Sequence, residues 1–199
     1  MIRLILVRHG QTESNVQHLL QGQSDGVLTT VGKQQAIALA KHLMDTKIDR
    51  ILSSDLIRAI DTAKSIASYH GISVEVNQKA REWNCGLLDG LPAEELYRAR
   101  TKSGLPISDF RPEGGETLRE VRGRALSFLQ EIENSYEGLN VLVCSHGDFL
   151  RMLIGCIKQK TIEEANDIHL DNTSFSIFEN FEHGWKMTLL NESVSRLDY

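Results

Sequence analysis

The chain has 199 residues, of which 41 % are hydrophobic and 25 % are charged, and its formal net charge is −5. These proportions are typical of a globular protein and exclude a disordered chain, which combines low hydrophobicity with high net charge. The acidic balance argues against a protein that coats nucleic acid, because such proteins are basic. A chain of this length most often folds as one domain, which we expect to span residues 1–199.

The sequence lacks the patterns that mark a membrane span, a signal peptide and a metal site. No stretch approaches the ~18 apolar residues of a membrane span, and the apolar run over residues 4–7 is too short for the core of a signal peptide. Cys85, Cys144 and Cys156 form no CxxC pair, and no HExxH motif occurs. We therefore expect a cytoplasmic protein with reduced thiols, no metal site and no cofactor. The sequence gives no indication of the oligomeric state.

Short apolar runs alternate along the chain with helically spaced apolar residues. Leu56, Ile60 and Ala63, for example, recur at the spacing of one helix face, and Thr117 with Glu120 forms a capping box that starts another helix. In chain order, we predict strands over residues 3–7, 49–53, 73–76, 140–145, 174–178 and 186–190. The predicted helices cover residues 28–45, 56–70, 93–100, 118–136 and 149–157.

This alternation predicts the fold class and the position of the site. Strands that alternate with helices favour an α/β three-layer sandwich, in which helices flank both faces of a mostly parallel central sheet. In such sheets, ligands bind beyond the carboxyl ends of the strands. The residues that follow Val7, Ser53, Val76 and Val143 should therefore converge.

Each of these strand ends is followed by an ionisable side chain. Guanidinium groups suit phosphate oxygens, and a histidine among arginines stays neutral and nucleophilic near pH 7. A second histidine can donate a hydrogen bond to the phosphoryl group, and a carboxylic acid can protonate the leaving alcohol. Gly10 and Gly147 are expected to let the backbone approach a ligand. These residue types favour phosphoryl transfer through a covalent histidine. The converging residues are Arg8, His9, Arg58, Arg81, Glu82 and His146.

Six sequence motifs occur along nearly the whole chain in a recognisable order. They are LVRHGQTESN (6–15), LQGQSDGVLTTVGKQQA (20–36), SSDLIRAIDTA (53–63), REWNCGLLDG (81–90), PEGGETLREVRGR (112–124) and SHGDFLRML (145–153). Together they resemble the histidine phosphatase superfamily, also called the phosphoglycerate mutase-like family, and its phosphatase branch in particular. The resemblance implies the fold named above.

The resemblance also implies roles for individual residues. His9 matches the nucleophile that becomes phosphohistidine, and Glu82 stands where the family keeps a proton donor. Arg8, Arg58 and His146 match the phosphate pocket of the family. Asn15, Gln21 and Gly147 occupy positions that touch the phosphate. No metal ligand is implied.

We expect from this a metal-independent phosphatase that acts on a small phosphorylated metabolite. A cofactor-dependent phosphoglycerate mutase or a fructose-2,6-bisphosphatase-like enzyme is the alternative, although the tail after Leu190 is short for the lid that a mutase needs. A non-catalytic phosphate-binding module is a further alternative. Residues 83–115 are expected to form a cap-like insertion that sets selectivity, and the sequence leaves the substrate open.

Other features have simpler explanations. Residues 22–26 spell GxSxG, the nucleophile elbow of serine hydrolases, but that motif needs a strand before and a helix directly after Ser24. Cys85 is expected to be a packed thiol rather than a reactive one. A solvated charged surface is the expected setting of Arg98, Arg100, Lys102 and Arg111, although these residues could also steer an anionic substrate.

Overall fold

The computed structural model describes residues 1–182 and 184–194. The last five residues of the polar tail, 195–199, lie outside this range. Within the described residues, six strands form one sheet in the order β3-β2-β4-β1-β5-β6. The strands are β1 (Ile2–Arg8), β2 (Arg50–Ser53), β3 (Val74–Val76), β4 (Asn140–Ser145), β5 (Phe175–Phe181) and β6 (Gly184–Glu192).

Seven α-helices accompany the sheet in the described part of the chain. They are α1 (Glu13–Val16), α2 (Thr30–His42), α3 (Ile57–His70), α4 (Ala93–Ser103), α5 (Leu118–Ser135), α6 (Gly147–Ile157) and α7 (Ile162–Asn166). Two 3-10 turns cover Gln78–Ala80 and Gly86–Leu88. No helix among the described residues is long and apolar enough to cross a membrane.

The sheet is mostly parallel, which confirms the predicted fold class. β1, β2, β3 and β4 run in parallel, whereas β5 pairs antiparallel with β1 and β6 pairs antiparallel with β5. One core lies between the sheet and α5, α6 and α7, and it includes Leu6, Phe128 and Phe149. A second core, which includes Ile5 and Leu39, lies between the opposite face and α2 and α3. Because both faces are covered, the inner strands are apolar on both sides.

The register of the central strands places the site. β1 and β4 pair so that Arg8 lies opposite Ser145, and the His9 N–H then donates to the Ser145 carbonyl at 3.0 Å. β2 joins the other side of β4, with Ser53 opposite Cys144. The residues that follow these three strands therefore leave the sheet at one edge, as the sequence predicts.

Side-chain hydrogen bonds set where several helices begin. The predicted capping box of Thr117 and Glu120 is present at the start of α5. α6 begins at Gly147, two residues earlier than predicted, because a distant carboxylate accepts hydrogen bonds from its first turn. The sequence analysis missed α7, although Thr161 and Glu164 form the same kind of capping box.

Candidate active site

The strand ends surround a small cavity of about 130 Å³, here termed the anion pocket. Two predicted residues that do not line this cavity, His146 and Gly147, lie beside residues that do. The His146 ring is 5.2 Å from the ring of His9, and a Cβ on Gly147 would lie 3.7 Å from both Arg8 Nε and Glu82 Oε2. All eight predicted site residues therefore meet in one place. The pocket is lined by Arg8, His9, Asn15, Leu19, Leu20, Gln21, Gly22, Arg58, Glu82, Cys85 and Asp148.

His9 is buried and held in one orientation. Its Nδ1 lies 2.8 Å from the Gly10 carbonyl oxygen, which can only accept a hydrogen bond, so the proton is on Nδ1. Burial and the charges of Arg58 and Arg8 hold the pKa of His9 well below its usual range. The imidazole is therefore neutral near pH 7, with the lone pair of Nε2 available as a nucleophile.

His146 carries its proton on the other ring nitrogen. Arg58 Nε donates to His146 Nδ1 at 3.1 Å, so Nδ1 is an acceptor and Nε2 bears the hydrogen. Burial and the charge of Arg58 keep the pKa of His146 well below its usual range. The Nε2–H is buried and has no partner among the described residues. Buried donors are normally paired, so this N–H is suited to an oxygen atom of a bound anion.

Arg58 is almost completely buried and is held by backbone carbonyls rather than by a carboxylate. Its two terminal nitrogens donate to the carbonyls of Gly22 and Ser24 at 2.7 and 2.8 Å. Burial lowers the pKa of Arg58 to about 10, so the side chain remains a cation at neutral pH. Because no anion is hydrogen-bonded to it among the described residues, its charge is available to the anion pocket.

The GxSxG segment is thus part of the cradle of Arg58. Ser24 is exposed, and its hydroxyl donates to the Gln21 carbonyl at 2.9 Å. No strand ends directly before Ser24, and α2 starts only at Thr30. The strand–turn–helix context of a nucleophile elbow is therefore missing.

Arg8 supplies the second cation of the pocket. One terminal nitrogen donates to the Leu170 carbonyl at 2.7 Å, whereas its buried Nε has no partner among the described residues. Burial lowers the pKa of Arg8 from its ordinary value, and the charge of Glu82 opposes this effect. The unpaired Nε–H of Arg8 and the unpaired Nε2–H of His146 are the groups with which an oxyanion would pair.

Glu82 lies at the N-terminus of α6. Its Oε1 accepts from the backbone N–H groups of Trp83, Asp148 and Phe149 at 2.9, 3.1 and 3.0 Å. Burial, together with the negative charge of Asp148, raises the pKa of Glu82 above its ordinary value, although these hydrogen bonds oppose the shift. A carboxyl group with a raised pKa can hold a proton and deliver it to a leaving oxygen.

The loop that carries Glu82 is fixed by a pair of residues near the start of α5. Arg124 donates to the carbonyls of Arg81 and Glu82 at 3.0 and 3.2 Å and pairs with Glu116 at 2.9 Å. Glu116 in turn accepts from the Trp83 indole through its carbonyl and from the Asn84 N–H through its side chain. These two residues of the PEGGETLREVRGR motif therefore support the loop that carries Glu82.

Asn15 and Gln21 line the pocket from the segment after β1. Asn15 Oδ1 accepts from Thr12 N–H and from Asn172 Nδ2, both at 3.1 Å. Asn172 also donates to the His9 carbonyl at 3.0 Å. Gln21 Oε1 accepts from the Thr12 hydroxyl at 2.9 Å, and its buried Nε2 has no partner among the described residues. The amide groups of both residues are thereby oriented beside the anion pocket.

The two glycines have different roles. A Cβ on Gly10 would lie 2.6 Å from the Gly32 carbonyl oxygen, so Gly10 is needed for close packing on α2 rather than for approach to a ligand. A Cβ on Gly147 would meet the protein only at ordinary contact distances, between Arg8 and Glu82. Gly147 therefore leaves space on the side of the pocket where these two side chains face each other.

Two other predicted candidates do not supply charge to the pocket. Arg81 makes a bidentate pair with Asp55, with Nε 2.7 Å from Oδ1, and it does not line the cavity. Cys85 lines the cavity, but burial raises the pKa of its thiol, so it stays protonated and is a packed thiol as expected. The described residues include no cluster of three or more His, Cys, Asp or Glu side chains that could hold a metal ion.

The sequence analysis missed several residues that hold the site together. Most of them act through backbone atoms or across long sequence separations, so no local pattern reveals their contacts. Leu170 and Asn172 lie outside the matched motifs, whereas the others lie within them. The missed residues are Leu170 and Asn172, the carbonyls of Gly22 and Ser24, and the clamp of Glu116 and Arg124.

Sequence comparison agrees with this geometry. The sequence profile of the histidine phosphatase superfamily (branch 1) matches residues 4–193. The chain belongs to this superfamily. Its members act on phosphoryl groups as phosphatases or mutases, and the chain is therefore a phosphoryl-transfer enzyme.

Relatives in the superfamily carry both kinds of name. The probable phosphoglycerate mutase GpmB of Shigella boydii serotype 18 is 34 % identical over 190 residues, which are 93 % of this chain and 88 % of that protein. A mycobacterial glucosyl-3-phosphoglycerate phosphatase, solved in complex with VO3, has a TM-score of 0.86 at 28 % identity, covering 96 % of this chain and 99 % of that one. A putative alpha-ribazole-5'-P phosphatase from Escherichia coli K-12 has a TM-score of 0.89 at 25 % identity, with 96 % of each chain covered.

Proposed function

We propose that this histidine phosphatase superfamily member is a metal-independent phosphatase that hydrolyses small phosphomonoesters through a phosphohistidine on His9. The orientation of His9 carries the proposal. Its Nδ1 proton is bound to the Gly10 carbonyl, and burial keeps the ring neutral, so Nε2 is a nucleophile at neutral pH. Arg8 and Arg58 supply the positive charge that a metal ion supplies in many phosphoryl-transfer enzymes.

In the first step, His9 Nε2 attacks phosphorus and the ester P–O bond breaks. Glu82, whose pKa is raised by burial and by the charge of Asp148, gives a proton to the departing alkoxide. The Gly10 carbonyl accepts the hydrogen bond of the imidazole as the ring takes on positive charge. His146 Nε2–H and Arg8 Nε–H pair with the phosphoryl oxygens, on which negative charge increases in the transition state.

In the second step, the Glu82 carboxylate takes a proton from water, and the resulting nucleophile attacks phosphorus. The P–N bond breaks, inorganic phosphate leaves, and His9 returns to its neutral form. A mycobacterial relative has been solved with VO3 and with inorganic phosphate, oxyanions of the kind that this pocket would bind. We assign to Asn15, Gln21 and the Gly147 backbone a role in positioning the phosphoryl group.

We further propose that residues 83–115 are a cap-like insertion in a single domain over residues 1–199. α4, which lies in this segment, has no buried residue, and it lines a cleft beside the anion pocket. The three cysteines are free, which supports a reducing compartment such as the cytoplasm. The proposed substrate is a small phosphorylated metabolite.

The test is to trap the intermediate. Rapid acid-free quenching during turnover of a ³²P-labelled phosphomonoester should give a phosphoryl group that is labile to acid, stable to base and bound to His9. The variant His9→Ala should give neither the adduct nor released phosphate. Turnover in EDTA should equal turnover without it, and loss of activity in EDTA would contradict metal independence.

A phosphoglycerate mutase is the second candidate, because relatives that are 34 % identical carry that name. A mutase must keep water from the phosphohistidine while the bound intermediate reorients. Incubation of 3-phosphoglycerate with catalytic 2,3-bisphosphoglycerate distinguishes the two. Interconversion that is faster than phosphate release would establish the mutase and overturn the phosphatase.

A further inference from the structure

A second cavity, of about 570 Å³ and here termed the side cleft, lies beside the anion pocket. Leu20 and Asp148 line both cavities, so the two adjoin at these residues. Glu82 accepts a hydrogen bond from the N–H of Asp148 at 3.1 Å. The proposed proton donor therefore lies near the boundary between the cavities, and an alcohol that it protonates would leave toward the side cleft.

Half of the residues that line the side cleft are apolar. They include Leu20, Trp83, Leu96, Tyr97 and Ile107. The Trp83 indole N–H already donates to the Glu116 carbonyl at 2.6 Å, so this ring offers the cleft an apolar surface. Trp83 is 2 % exposed and Tyr97 is 66 % exposed, so Tyr97 supplies most of the accessible aromatic surface of the cleft. Such walls suit a ring or another flat apolar group.

The charges of the side cleft leave carboxylates in excess. Asp148 and Arg151 neutralise each other, with 2.7 Å between Oδ1 and the guanidinium. Glu163, Asp167 and Arg100 also line the cleft, and none of them has an ion pair among the described residues. The Arg100 guanidinium instead lies 5.4 Å from the centre of the Tyr97 ring. The unpaired charges that line the cleft are therefore one cation, Arg100, and two carboxylates, Glu163 and Asp167.

We infer that the side cleft binds the alcohol part of the substrate, and that this alcohol carries an apolar ring and no second acidic group. The inference rests on the proposed function, because it takes Glu82 as the proton donor. A ring would be removed from water against Trp83 and Tyr97. A second phosphate or carboxylate would instead lose water beside Glu163 and Asp167, which disfavour a further negative charge.

Two matched pairs of substrates test the inference. 2-Phenylethyl phosphate differs from ethyl phosphate by a ring, and we expect a kcat/KM about tenfold higher for the ring-bearing ester. 3-Phosphoglycerate differs from glycerol 3-phosphate by a carboxylate in place of a hydroxymethyl group. We expect a kcat/KM about tenfold lower for the acid.

Two variants locate the preference in the side cleft. Tyr97→Ala removes an exposed ring without disturbing the core, and it should lower kcat/KM for 2-phenylethyl phosphate several-fold while leaving ethyl phosphate unchanged. Glu163→Lys should raise kcat/KM for 3-phosphoglycerate, relative to glycerol 3-phosphate, about three- to fivefold. Glu94→Lys is the matched control, because Glu94 is exposed and does not line the cleft, and it should change neither ratio.

The outcomes separate this inference from the proposed function. Equal kcat/KM values within each pair would overturn the substrate class while leaving hydrolysis intact. A preference for 3-phosphoglycerate that Arg100→Gln abolishes would also overturn it, because the cleft would then bind an acidic group through Arg100. Release of phosphate from none of the four esters, with no adduct on His9, would overturn the proposed function and the substrate class together.

Discussion

Arg58 Nε donates a hydrogen bond to His146 Nδ1 across 3.1 Å, so an arginine fixes the tautomer of the histidine beside it. The terminal nitrogens of the same guanidinium bind the carbonyls of Gly22 and Ser24. Arg58 therefore has a second role besides its charge, because it fixes the proton of His146 on Nε2.

Replacement of this arginine by lysine separates the two roles. Arg58→Lys keeps a cation but loses the Nε donor, and we expect kcat to fall about 10²–10³-fold because one transition-state donor is misplaced. Inhibition by inorganic phosphate should weaken much less than kcat falls. ¹⁵N NMR should show His146 as the Nε2–H form in the wild type and as a mixture in the variant. Arg98→Lys, on the exposed side of α4, is the control and should leave all three measurements unchanged.

Glu82 should control the response to pH and to the leaving group. The protonated acid is required, so the activity toward alkyl phosphates should fall as pH rises through the raised pKa of Glu82. Glu82→Gln should slow alkyl phosphates about 10²-fold or more and aryl phosphates far less, because a phenolate leaves without a proton. Steady-state rates on matched alkyl and aryl esters across pH provide the measurement. Equal slowing of both classes would show that Glu82 is not the proton donor.

Arg124 is predicted to act through Glu82 without touching substrate. Arg124→Gln removes the hydrogen bonds to the Arg81 and Glu82 carbonyls, and a displaced acid should lower kcat for alkyl phosphates by up to about 10²-fold. Aryl phosphates should be affected much less, which a general loss of folding would not produce. Arg119→Gln is a suitable control, because Arg119 pairs with Asp109 on the exposed side of α5.

The serine-hydrolase motif should be dispensable. Ser24→Ala removes an exposed hydroxyl but keeps the carbonyl that Arg58 binds, so kcat/KM should change less than about twofold. Pro at the same position would alter the backbone that holds Arg58 and should lower activity. Complete inactivation by Ser24→Ala would revive the serine nucleophile.

The two site histidines should make the protein sensitive to acid. Both have folded-state pKa values below the unfolded value of about 6.5, so the unfolded chain binds more protons and stability is lost as pH falls below that value. Each histidine should contribute about 1 kcal/mol to the loss between pH 7 and pH 5.5. His146→Gln, which keeps an acceptor for Arg58, should reduce that loss by about the same amount in urea unfolding. An unchanged difference between the two pH values would contradict the burial of a neutral His146.

Most side chains of the candidate site were predictable because they end a strand, directly follow one or lie one turn into a helix, whereas Glu82 lies in a loop beyond β3. Arg8 ends β1, and His9 and His146 directly follow β1 and β4. The apolar character of both strands is plain in the sequence, and their parallel register brings the three residues together. Arg58 was also predicted, but its partners were not, since a carbonyl has no sequence signature. The clamp at Arg124 reaches a loop 42 residues away, which no local pattern reveals.

The last third of the chain was predicted less completely. β5 and β6 run antiparallel to their neighbours, and the hydrophobic pattern gives no direction for such strands. The segment between α7 and β5 supplies the Leu170 carbonyl and Asn172 to the site, yet it is polar and irregular. Its contribution depends on contacts with β1, which appear only in the folded chain.

The two cavities are built from different kinds of structure. Arg8 and His9 lie at the end of β1, which pairs in parallel with β4, whereas Tyr97, Ile107 and Glu163 lie on short helices and connecting segments outside the sheet. Insertions or substitutions in those outer segments leave the ladder unaltered. During divergence, preference for the alcohol can therefore change while the phosphoryl-transfer chemistry is inherited unchanged.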